Sequence, residues 1–252
     1  MKATASSSFE RFLGHASSNA GRSEQDIRPH GRFKRFLAYV GSKLSRRAIY
    51  RFEGIINHLK LGRWLSDHNF SFPQIVKSRE DVFHVVADQV RERRVLYLEF
   101  GVRHGRSLRF WSNELKHPES KLHGFDSFEG LPEDWGPRSK GYCTTGGRVP
   151  QLDDSRVQFF KGWFHETLPR YTVPDHDVLI ITLDADLYSS TICVLRHLQP
   201  WIVPGTFVYL DDMNTPDHEG KAFHEFMTET GRKFRPICAD RSLCCEFYEC
   251  IG

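Results

Sequence analysis

The sequence lacks several features that would assign it to a broad class at once. It has no apolar run long enough to cross a membrane, and its first residues contain no apolar stretch of the kind that a secretory signal requires. It also lacks a strong surplus of one charge, because 35 Lys and Arg residues against 32 Asp and Glu residues leave a formal net charge of +3. So small a surplus does not by itself indicate nucleic acid binding. We therefore expect a cytoplasmic protein without a nucleic acid partner.

Paired cysteine knuckles are missing as well. Four of the six cysteines lie in the last fifteen residues, with the spacing Cys238-x5-Cys244-Cys245-x4-Cys250. A structural zinc site uses pairs separated by two residues, and this spacing does not provide them. We interpret these cysteines as reduced thiols packed in a C-terminal β-hairpin of a cytosolic protein.

The chain divides into three regions by composition. Its 252 residues suffice for one α/β domain and an N-terminal extension. Residues 1–30 are dominated by Ser, Asn, Gly and charged residues without periodicity, which predicts a disordered tail. Residues 31–77 are predicted to form a basic helical extension, and residues 78–252 the functional domain.

The extension combines basic and apolar residues. Residues 31–65 contain nine Lys and Arg residues and almost no acids, and apolar residues recur there at helical spacing. We interpret the segment as an extra helical layer that packs on the domain and exposes its charges to water. The alternative is a peripheral contact with a membrane surface or another anionic partner. The pattern does not decide whether the chain forms a homo-oligomer.

Strands and helices alternate from residue 78 onward. Ser78 is predicted to cap a helix with acids in its first turn, and helices are also expected over 188–199 and 219–230. Strands are expected at residues 95–98, 122–125, 157–160, 178–183 and 206–210. This order predicts an α/β fold: a doubly wound, Rossmann-like, mostly parallel sheet covered on both faces. After residue 232 only a strand, a turn and a strand fit, so we expect a C-terminal antiparallel hairpin.

Residues 127–155 contain no regular pattern. The stretch holds five glycines and three prolines. Irregular segments of this length in compact domains often serve as lids or binding loops. We therefore expect this loop to contribute to a binding site.

A glycine turn follows the first strand of the domain. Glu99-Phe-Gly101-Val-Arg-His-Gly105 leads into a predicted helix. Glycines let a backbone turn tightly and approach a ligand closely, and the free N–H groups of a helix N-terminus bind a carboxylate or a phosphate. The spacing is not the G-x-G-x-x-G of dinucleotide-binding folds, which disfavours a nicotinamide oxidoreductase. A purely structural β–α turn would have the same sequence.

Asp126 follows the second strand, 25 residues after Gly101. An acid at this strand end can accept hydrogen bonds from both hydroxyls of a ribose. The alternative is a turn or capping aspartate. In combination with the glycine turn, Asp126 favours nucleoside binding.

Four aspartates follow the next two strands. Asp184 and Asp186 come after the fourth strand, and Asp211 and Asp212 after the fifth. Neighbouring strands lie about 5 Å apart, so these carboxylates repel each other unless protons or a cation compensate. All-oxygen ligands suit Mg²⁺. The alternative is a set of solvated helix caps, which fits Asp186 best. His218, at the start of the next predicted helix, is either a base in the same cleft or a structural histidine.

Five motifs in order resemble one family. They are Glu99-Phe-Gly-Val-Arg-His-Gly105, Phe125-Asp-Ser-Phe-Glu-Gly-Leu-Pro132, Lys161-Gly-Trp-Phe-His-Glu-Thr-Leu-Pro169, Leu183-Asp-Ala-Asp-Leu-Tyr-Ser-Ser-Thr191 and Leu210-Asp-Asp-Met213. Together they resemble the macrocin O-methyltransferases, bacterial class I methyltransferases that act on sugar hydroxyls of macrolides and related natural products. The resemblance covers about residues 94–215.

The resemblance implies a seven-stranded sheet and S-adenosylmethionine as methyl donor. Carried over to this chain, the donor-binding residues are Glu99, Gly101 and Gly105 for the methionine part, Asp126 and Ser127 for the ribose, Gly162 and Trp163 for the adenine, and Asp184 beside the methyl group. The implied magnesium ligands are Asp184, Asp211 and Asp212. The acceptor is then a small molecule with hydroxyl groups, preferably a vicinal diol, and Asp184 is the catalytic base.

Two parts of the chain have no counterpart in that family pattern. They are residues 133–155 and the basic N-terminal region, so the sequence does not identify the acceptor. Two alternatives also stay open. One is a metal-independent methyltransferase that acts on a nitrogen or a carboxylate, and the other is a nucleotide-binding module without catalysis.

Overall fold

The structure, a computed structural model, describes residues 31–215 and 217–252. The predicted disordered tail at residues 1–30 lies outside the described residues. Two compact units divide the chain, residues 1–64 and residues 65–252. No helix in the described ranges combines the length and the apolar character needed to cross a bilayer.

Two helices make up the described part of the first unit. Helix α1 spans Gly31–Lys43, and α2 spans Arg46–Asp67 and continues past the boundary between the units. No side chain of α1 is buried. Most of the predicted extension is therefore helical, whereas the boundary between the units lies at residues 64 and 65 and not at residue 78.

The second unit contains eight strands and the remaining helices. In chain order these elements are β1 (Ile75–Val76), α3 (Arg79–Val90), β2 (Val95–Phe100), α4 (Arg106–Glu114), β3 (Lys121–Asp126), β4 (Val157–Lys161), α5 (Phe164–Thr167), β5 (Val178–Leu183), α6 (Tyr188–Leu198), β6 (Phe207–Leu210), α7 (Glu219–Thr230), β7 (Phe234–Asp240) and β8 (Glu246–Cys250). The predicted alternation of strands and helices is confirmed.

The strands form one sheet in the order β1-β7-β8-β6-β5-β2-β3-β4. All neighbouring pairs are parallel except those of β8, which runs antiparallel to β6 and β7. The C-terminal hairpin is thus confirmed. The strand beyond the expected seven is β1, whose Ile75 lies opposite Ala239 of β7. A strand of two residues is too short to produce a periodic pattern in the sequence.

The burial of the central strands explains why their sequences are apolar. Every residue of β2 and of β5 is buried, as expected for continuous apolar runs in a sheet covered on both faces. Helix α3 packs Val82, Phe83 and Val86 into the same core. All six cysteines lie in the described residues, and no disulfide joins any of them.

The start of α3 is fixed by a capping box. The Ser78 hydroxyl accepts a hydrogen bond from the Asp81 N–H at 3.2 Å, and the Asp81 carboxylate accepts one from the Ser78 N–H at 3.1 Å. These two bonds satisfy N–H groups that would otherwise lack partners. They also fix the position of Arg79, the first residue of the helix.

The chain reverses its direction of travel across the sheet at β2. Strands β3 and β4 lie on one side of β2, and β5 and β6 lie on the other. In open α/β sheets, ligands bind outside the carboxyl ends of the strands at such a reversal. The fold therefore places a binding cleft beyond the ends of β2 and β5.

Candidate active site

A cavity of about 690 Å³ opens at the carboxyl ends of the strands. Its size is typical of small-molecule sites. Of the residues predicted to act at a site, those that line it are Glu99, Gly101, Asp126, Ser127, Gly162, Trp163, Asp184, Asp186, Asp211 and Asp212. The fold thus brings the glycine turn and the strand-end carboxylates together at one end of the sheet, as the sequence predicted.

The glycine turn after β2 requires its glycines. Gly101 has φ +93°, and a Cβ atom added to it would lie 1.8 Å from the backbone oxygen of Asp184. Gly105, which precedes α4, has φ +70°. Other residues rarely adopt these conformations, and no side chain fits at Gly101. The turn of β2 is therefore in backbone contact with the end of β5.

Asp126 holds this turn in place. Its Oδ2 atom accepts hydrogen bonds from the N–H groups of Val102 at 2.9 Å and Arg103 at 2.7 Å. Its Oδ1 atom accepts one from the Phe128 N–H at 2.6 Å. Asp126 is thus a turn-forming aspartate that also lines the cavity, so the two interpretations of this residue are compatible.

The ends of β3 and β4 complete this side of the cavity. Ser127 is buried, and its hydroxyl accepts a hydrogen bond from the Glu129 N–H at 3.1 Å. Gly162 has φ +143°, and its N–H donates to the backbone oxygen of Asp126 at 3.0 Å. Trp163 then begins α5. The residues predicted to contact ribose and adenine therefore form one continuous wall.

Glu99 lies at the floor of the cavity with only 1% of its surface exposed. The Tyr97 hydroxyl donates a hydrogen bond to its carboxyl group at 3.2 Å. Burial raises the pKa of Glu99 to about 8, although the nearby Arg79 opposes this shift. An incoming ammonium group would favour the ionised form of this carboxyl. Glu99 therefore suits a ligand that carries a positive charge.

Arg79 was not predicted as a site residue. Its Nη2 atom donates to Asp184 Oδ2 at 2.6 Å, and its Nη1 atom lies 3.6 Å from Asp211 Oδ2. One feature of the sequence could have revealed it. A cation in the first turn of a helix opposes the helix dipole, so an arginine there needs an acidic partner from elsewhere.

On the acidic side of the cavity, the carboxylates follow directly after the ends of β5 and β6. Asp184 donates its backbone N–H to Phe100 of β2 at 2.9 Å, and Asp211 donates its own to Leu183 of β5 at 3.0 Å. Asp211 also accepts a hydrogen bond from Cys245 Sγ at 3.3 Å. Burial and the neighbouring Asp211 raise the pKa of Asp184, while Arg79 opposes the shift.

Asp186 and Asp212 adopt left-handed backbone conformations, with φ values of +62° and +49°. Strained backbone of this kind is concentrated at functional sites. Burial, followed by the charge of Asp184, raises the pKa of Asp186 to about 7. The interpretation of Asp186 as a helix cap is wrong. The N-cap residue of α6 is Leu187, and no side chain caps that helix.

The three predicted magnesium ligands are not arranged as a metal site. In the described part of the chain, no group of three or more His, Cys, Asp or Glu residues is placed to hold a metal ion. Asp184 and Asp211 share the Arg79 guanidinium, and the side chain of Asp212 interacts with Asp186 instead. The oxygen donors suit Mg²⁺ chemically, but as they stand these side chains do not fit the ion.

The 127–155 loop forms the outer wall of the cavity. The Arg138 guanidinium lies 4.0 Å from the centre of the Trp135 ring and 5.0 Å from that of Tyr142. The Ser189 hydroxyl of α6 donates to the Glu133 carboxylate at 2.5 Å, which ties the loop to that helix. The loop predicted to bind a ligand therefore supplies two aromatic side chains and a cation to the cavity.

His218 does not line this cavity. Its ring meets Trp135 edge-on, with 6.2 Å between the ring centres. Burial lowers its pKa, and its Nδ1 atom has no hydrogen-bond partner among the described residues. The structure thus places His218 behind the Trp135 wall, whereas His104 and His165 line the cavity.

A doubly wound sheet with a glycine turn, a strand-end acid and a carboxylate cluster at one edge is a Rossmann-like arrangement. Solved structures agree on the fold. The O-methyltransferase NovP matches with a TM-score of 0.51 at 23% identity, over 69% of this chain and 78% of that one. The calicheamicin methyltransferase CalS11 matches with a TM-score of 0.50 at 20% identity, over 93% and 99% of the two chains.

Sequence comparisons confirm the resemblance to the macrocin O-methyltransferases. The model of that family, described as macrocin-O-methyltransferase (TylF), matches residues 147–238. Mycinamicin III 3''-O-methyltransferase from Micromonospora griseorubida is 31% identical over 128 residues, which cover 50% of this chain and 47% of the relative.

A second relative is more similar over a shorter region. The 8-demethyl-8-(2,3-dimethoxy-alpha-L-rhamnosyl)-tetracenomycin-C 4'-O-methyltransferase from Streptomyces olivaceus is 46% identical over 61 residues, 24% of this chain and 23% of the relative. This chain thus matches at most about half the length of these curated relatives.

Proposed function

We propose that this chain is an S-adenosylmethionine-dependent O-methyltransferase that acts on a hydroxyl group of a small molecule, in particular on a sugar attached to a larger ring. The convergence of the glycine turn and the strand-end aspartates on one cavity carries the proposal. The names of the matched relatives support the acceptor class, because they describe methylation of mycinamicin III and of a rhamnosyl-tetracenomycin.

The donor binds on the glycine side of the cavity in this proposal. The turn from Gly101, which lines the cavity, to Gly105, which does not, accommodates the methionine part, and the buried Glu99 receives its ammonium group. Asp126 accepts hydrogen bonds from the ribose while it holds the turn. Trp163 flanks the adenine. Held in this way, S-adenosylmethionine would supply an electrophilic methyl group on the side of the cavity where Asp184 lies.

The acceptor binds between the 127–155 loop and the acidic side. Trp135 and Tyr142 offer aromatic faces for a ring, and Asp184 serves as the proton acceptor. S-adenosylmethionine would supply its methyl group to the acceptor oxygen and leave as the neutral thioether, and the Asp184 carboxylate would take the hydroxyl proton. Alignment of donor and acceptor in such a cavity supplies several kcal/mol of rate enhancement.

Transfer of a labelled methyl group tests this function. The full chain is incubated with methyl-labelled S-adenosylmethionine and a panel of glycosylated small molecules, and calorimetry measures the binding of S-adenosylhomocysteine. We expect binding and labelled, O-methylated products. A chain that does not bind S-adenosylhomocysteine contradicts the proposal. Binding without transfer to any acceptor favours the nucleotide-binding module instead.

A metal-independent reaction is the second candidate. It is supported by Arg79, because the guanidinium already neutralises Asp184 and Asp211 without a metal ion. Transfer that continues undiminished in EDTA favours this candidate, and loss of transfer restored by Mg²⁺ favours a metal-assisted reaction.

The six free thiols support a location in the cytoplasm.

A further inference from the structure

The Arg79 guanidinium is held firmly between the two carboxylates. Besides its contacts with Asp184 and Asp211, its Nη2 atom lies 3.3 Å from the Ser107 hydroxyl. It also lies over two aromatic rings, 5.4 Å from the centre of Phe83 and 5.4 Å from that of Tyr209. Ring faces attract a cation, and charge-assisted hydrogen bonds are the strong ones. These contacts together fix the guanidinium group of Arg79 in this position.

A divalent ion at the ends of β5 and β6 requires the same two carboxylates. Mg²⁺ and Mn²⁺ bind carboxylate oxygens directly, and the positive charge of a guanidinium beside those oxygens repels the ion and occupies part of their lone pairs. We propose that Arg79 and a divalent cation compete for Asp184 and Asp211, so that the ion binds only when the guanidinium moves away. This inference goes beyond the proposed function, which does not require a metal ion.

Binding of Mn²⁺ alone tests the competition without any methyl transfer. Calorimetry or electron paramagnetic resonance measures the Kd for Mn²⁺ in the full-length wild type, in Arg79→Gln and in Arg79→Met, whose apolar stem still packs on Phe83 and Tyr209. We expect both variants to bind Mn²⁺ about tenfold more tightly than the wild type or better. Thermal unfolding shows whether each variant is folded.

Arg138→Gln is the matched control. Arg138 also lies near the cluster and lowers the pKa of Asp186 and Asp212, but no contact joins it to Asp184. Its loss removes the same charge without freeing the two carboxylates. We expect this control to change the Mn²⁺ affinity by less than about threefold.

Three results would overturn the competition. They are equal Mn²⁺ affinity in wild type and Arg79 variants, an equal gain in Arg138→Gln, and no Mn²⁺ binding by any folded variant. S-adenosylhomocysteine binding, measured on the same samples, reports separately on the proposed function. A wild type that binds S-adenosylhomocysteine and transfers methyl groups keeps that function even if the competition fails.

A different observation concerns the first unit. Eleven large apolar side chains between residues 33 and 59 are exposed. In α1 the apolar positions Phe33, Phe36, Leu37 and Val40 have the spacing of a single helix face. Exposed apolar side chains grouped on one helix face mark a surface that contacts another molecule.

The charges of this segment identify the partner. Residues 31–52 contain seven Lys and Arg residues and no acid. A second copy of the segment would bring like charges together, whereas anionic phospholipid headgroups complement both the charge and the apolar face. We infer that α1 and the first half of α2 dock on an anionic membrane surface and lie in its interface.

Sedimentation with lipid vesicles tests this surface. The full chain is mixed with phosphatidylcholine vesicles with or without phosphatidylglycerol. We expect binding that needs phosphatidylglycerol and falls about tenfold or more in the Phe36→Glu, Leu37→Glu double variant. Val203→Glu, which alters an exposed apolar residue of the second unit, is the control and should bind as the wild type does.

Two results would contradict membrane docking. One is equal sedimentation with and without phosphatidylglycerol, or none at all. The other is a wild-type dimer, measured by light scattering, that the double variant converts to a monomer while neither protein binds vesicles. That outcome would assign the apolar face to a second copy of the chain.

Discussion

The two sides of the cavity are built by different means. On the glycine side, backbone geometry defines the shape, as Gly101, Gly162 and the hydrogen bonds of Asp126 show. On the acidic side, the balance of charge defines it, because Arg79 offsets the carboxylates of Asp184 and Asp211. A side chain added on the glycine side would block part of the cavity. The change of a single charge on the acidic side would alter the electrostatic balance among its carboxylates.

Substitution of Gly101 tests the steric side and should have the largest effect. In Gly101→Ala the new Cβ would lie 1.8 Å from the Asp184 oxygen, at φ +93°. We expect a loss of about 2 kcal/mol or more in stability and about 100-fold in affinity for S-adenosylhomocysteine. Chemical denaturation and calorimetry measure the two effects.

Gly146→Ala serves as its control. Gly146 also has a positive φ, +68°, but nothing lies within 4 Å of the added Cβ atom. It should therefore show only the conformational cost, about 1 kcal/mol. Equal losses of affinity in the two variants would mean that the close approach to Asp184 does not shape the donor site.

Substitution of Asp184 tests the charged side. Asp184→Asn keeps the size of the side chain but removes the proton acceptor, so we expect kcat to fall about 100-fold or more. The affinity for S-adenosylhomocysteine should change much less, because the donor binds mainly on the other side. Steady-state kinetics and calorimetry separate the two. A variant with wild-type kcat would exclude Asp184 as the base.

Asp126→Asn should have a smaller effect that falls on donor binding. The amide oxygen can replace only one of the two carboxylate oxygens that hold the N–H groups of Val102, Arg103 and Phe128. We expect about tenfold weaker binding of S-adenosylhomocysteine. If kcat falls while this affinity stays unchanged, the division between a donor side and a chemical side is incorrect.

A pH experiment on Glu246, which is not among the residues that line the cavity, should have the smallest effect. This glutamate begins β8 opposite Leu210 of β6. Burial raises its pKa from 4.5 to about 8. Between these two pKa values the folded state holds a proton that the unfolded state releases. Stability therefore falls as the pH rises from 4.5 to about 8.

Glu246→Gln removes that titration. We expect its free energy of unfolding to decline less than that of the wild type between pH 4.5 and about pH 8. Below that window the two proteins should respond to pH in parallel. Urea unfolding at a series of pH values measures the difference. Parallel curves across the whole window would show that Glu246 is ionised in the folded protein.

The two sides also differ in how far the sequence predicts them. The glycine turn, Asp126 and the strands are encoded locally, by glycines at a strand end and by periodic apolar residues. The strands were predicted correctly, and the glycine turn and Asp126 lie at the ends of β2 and β3. The short strand β1 was missed because two residues produce no period.

The charged side depends on contacts between distant parts of the chain. Arg79 and Asp184 are 105 residues apart in sequence, so only the folded sheet reveals that they pair. Likewise, adjacent aspartates at positions 211 and 212 look alike in the sequence. Asp212 has a left-handed backbone, and its side chain interacts with Asp186. No local pattern predicts this conformation.

The main-chain contact between Gly101 and Asp184 has a consequence for engineering. It sets the spacing between the glycine turn and Asp184 through main-chain packing, independent of any side chain in the outer wall. Changes in the 127–155 loop can therefore alter which molecule enters while the reacting centre keeps its dimensions. Directed evolution toward a new acceptor should accordingly concentrate its libraries in that loop and leave both strand tips untouched.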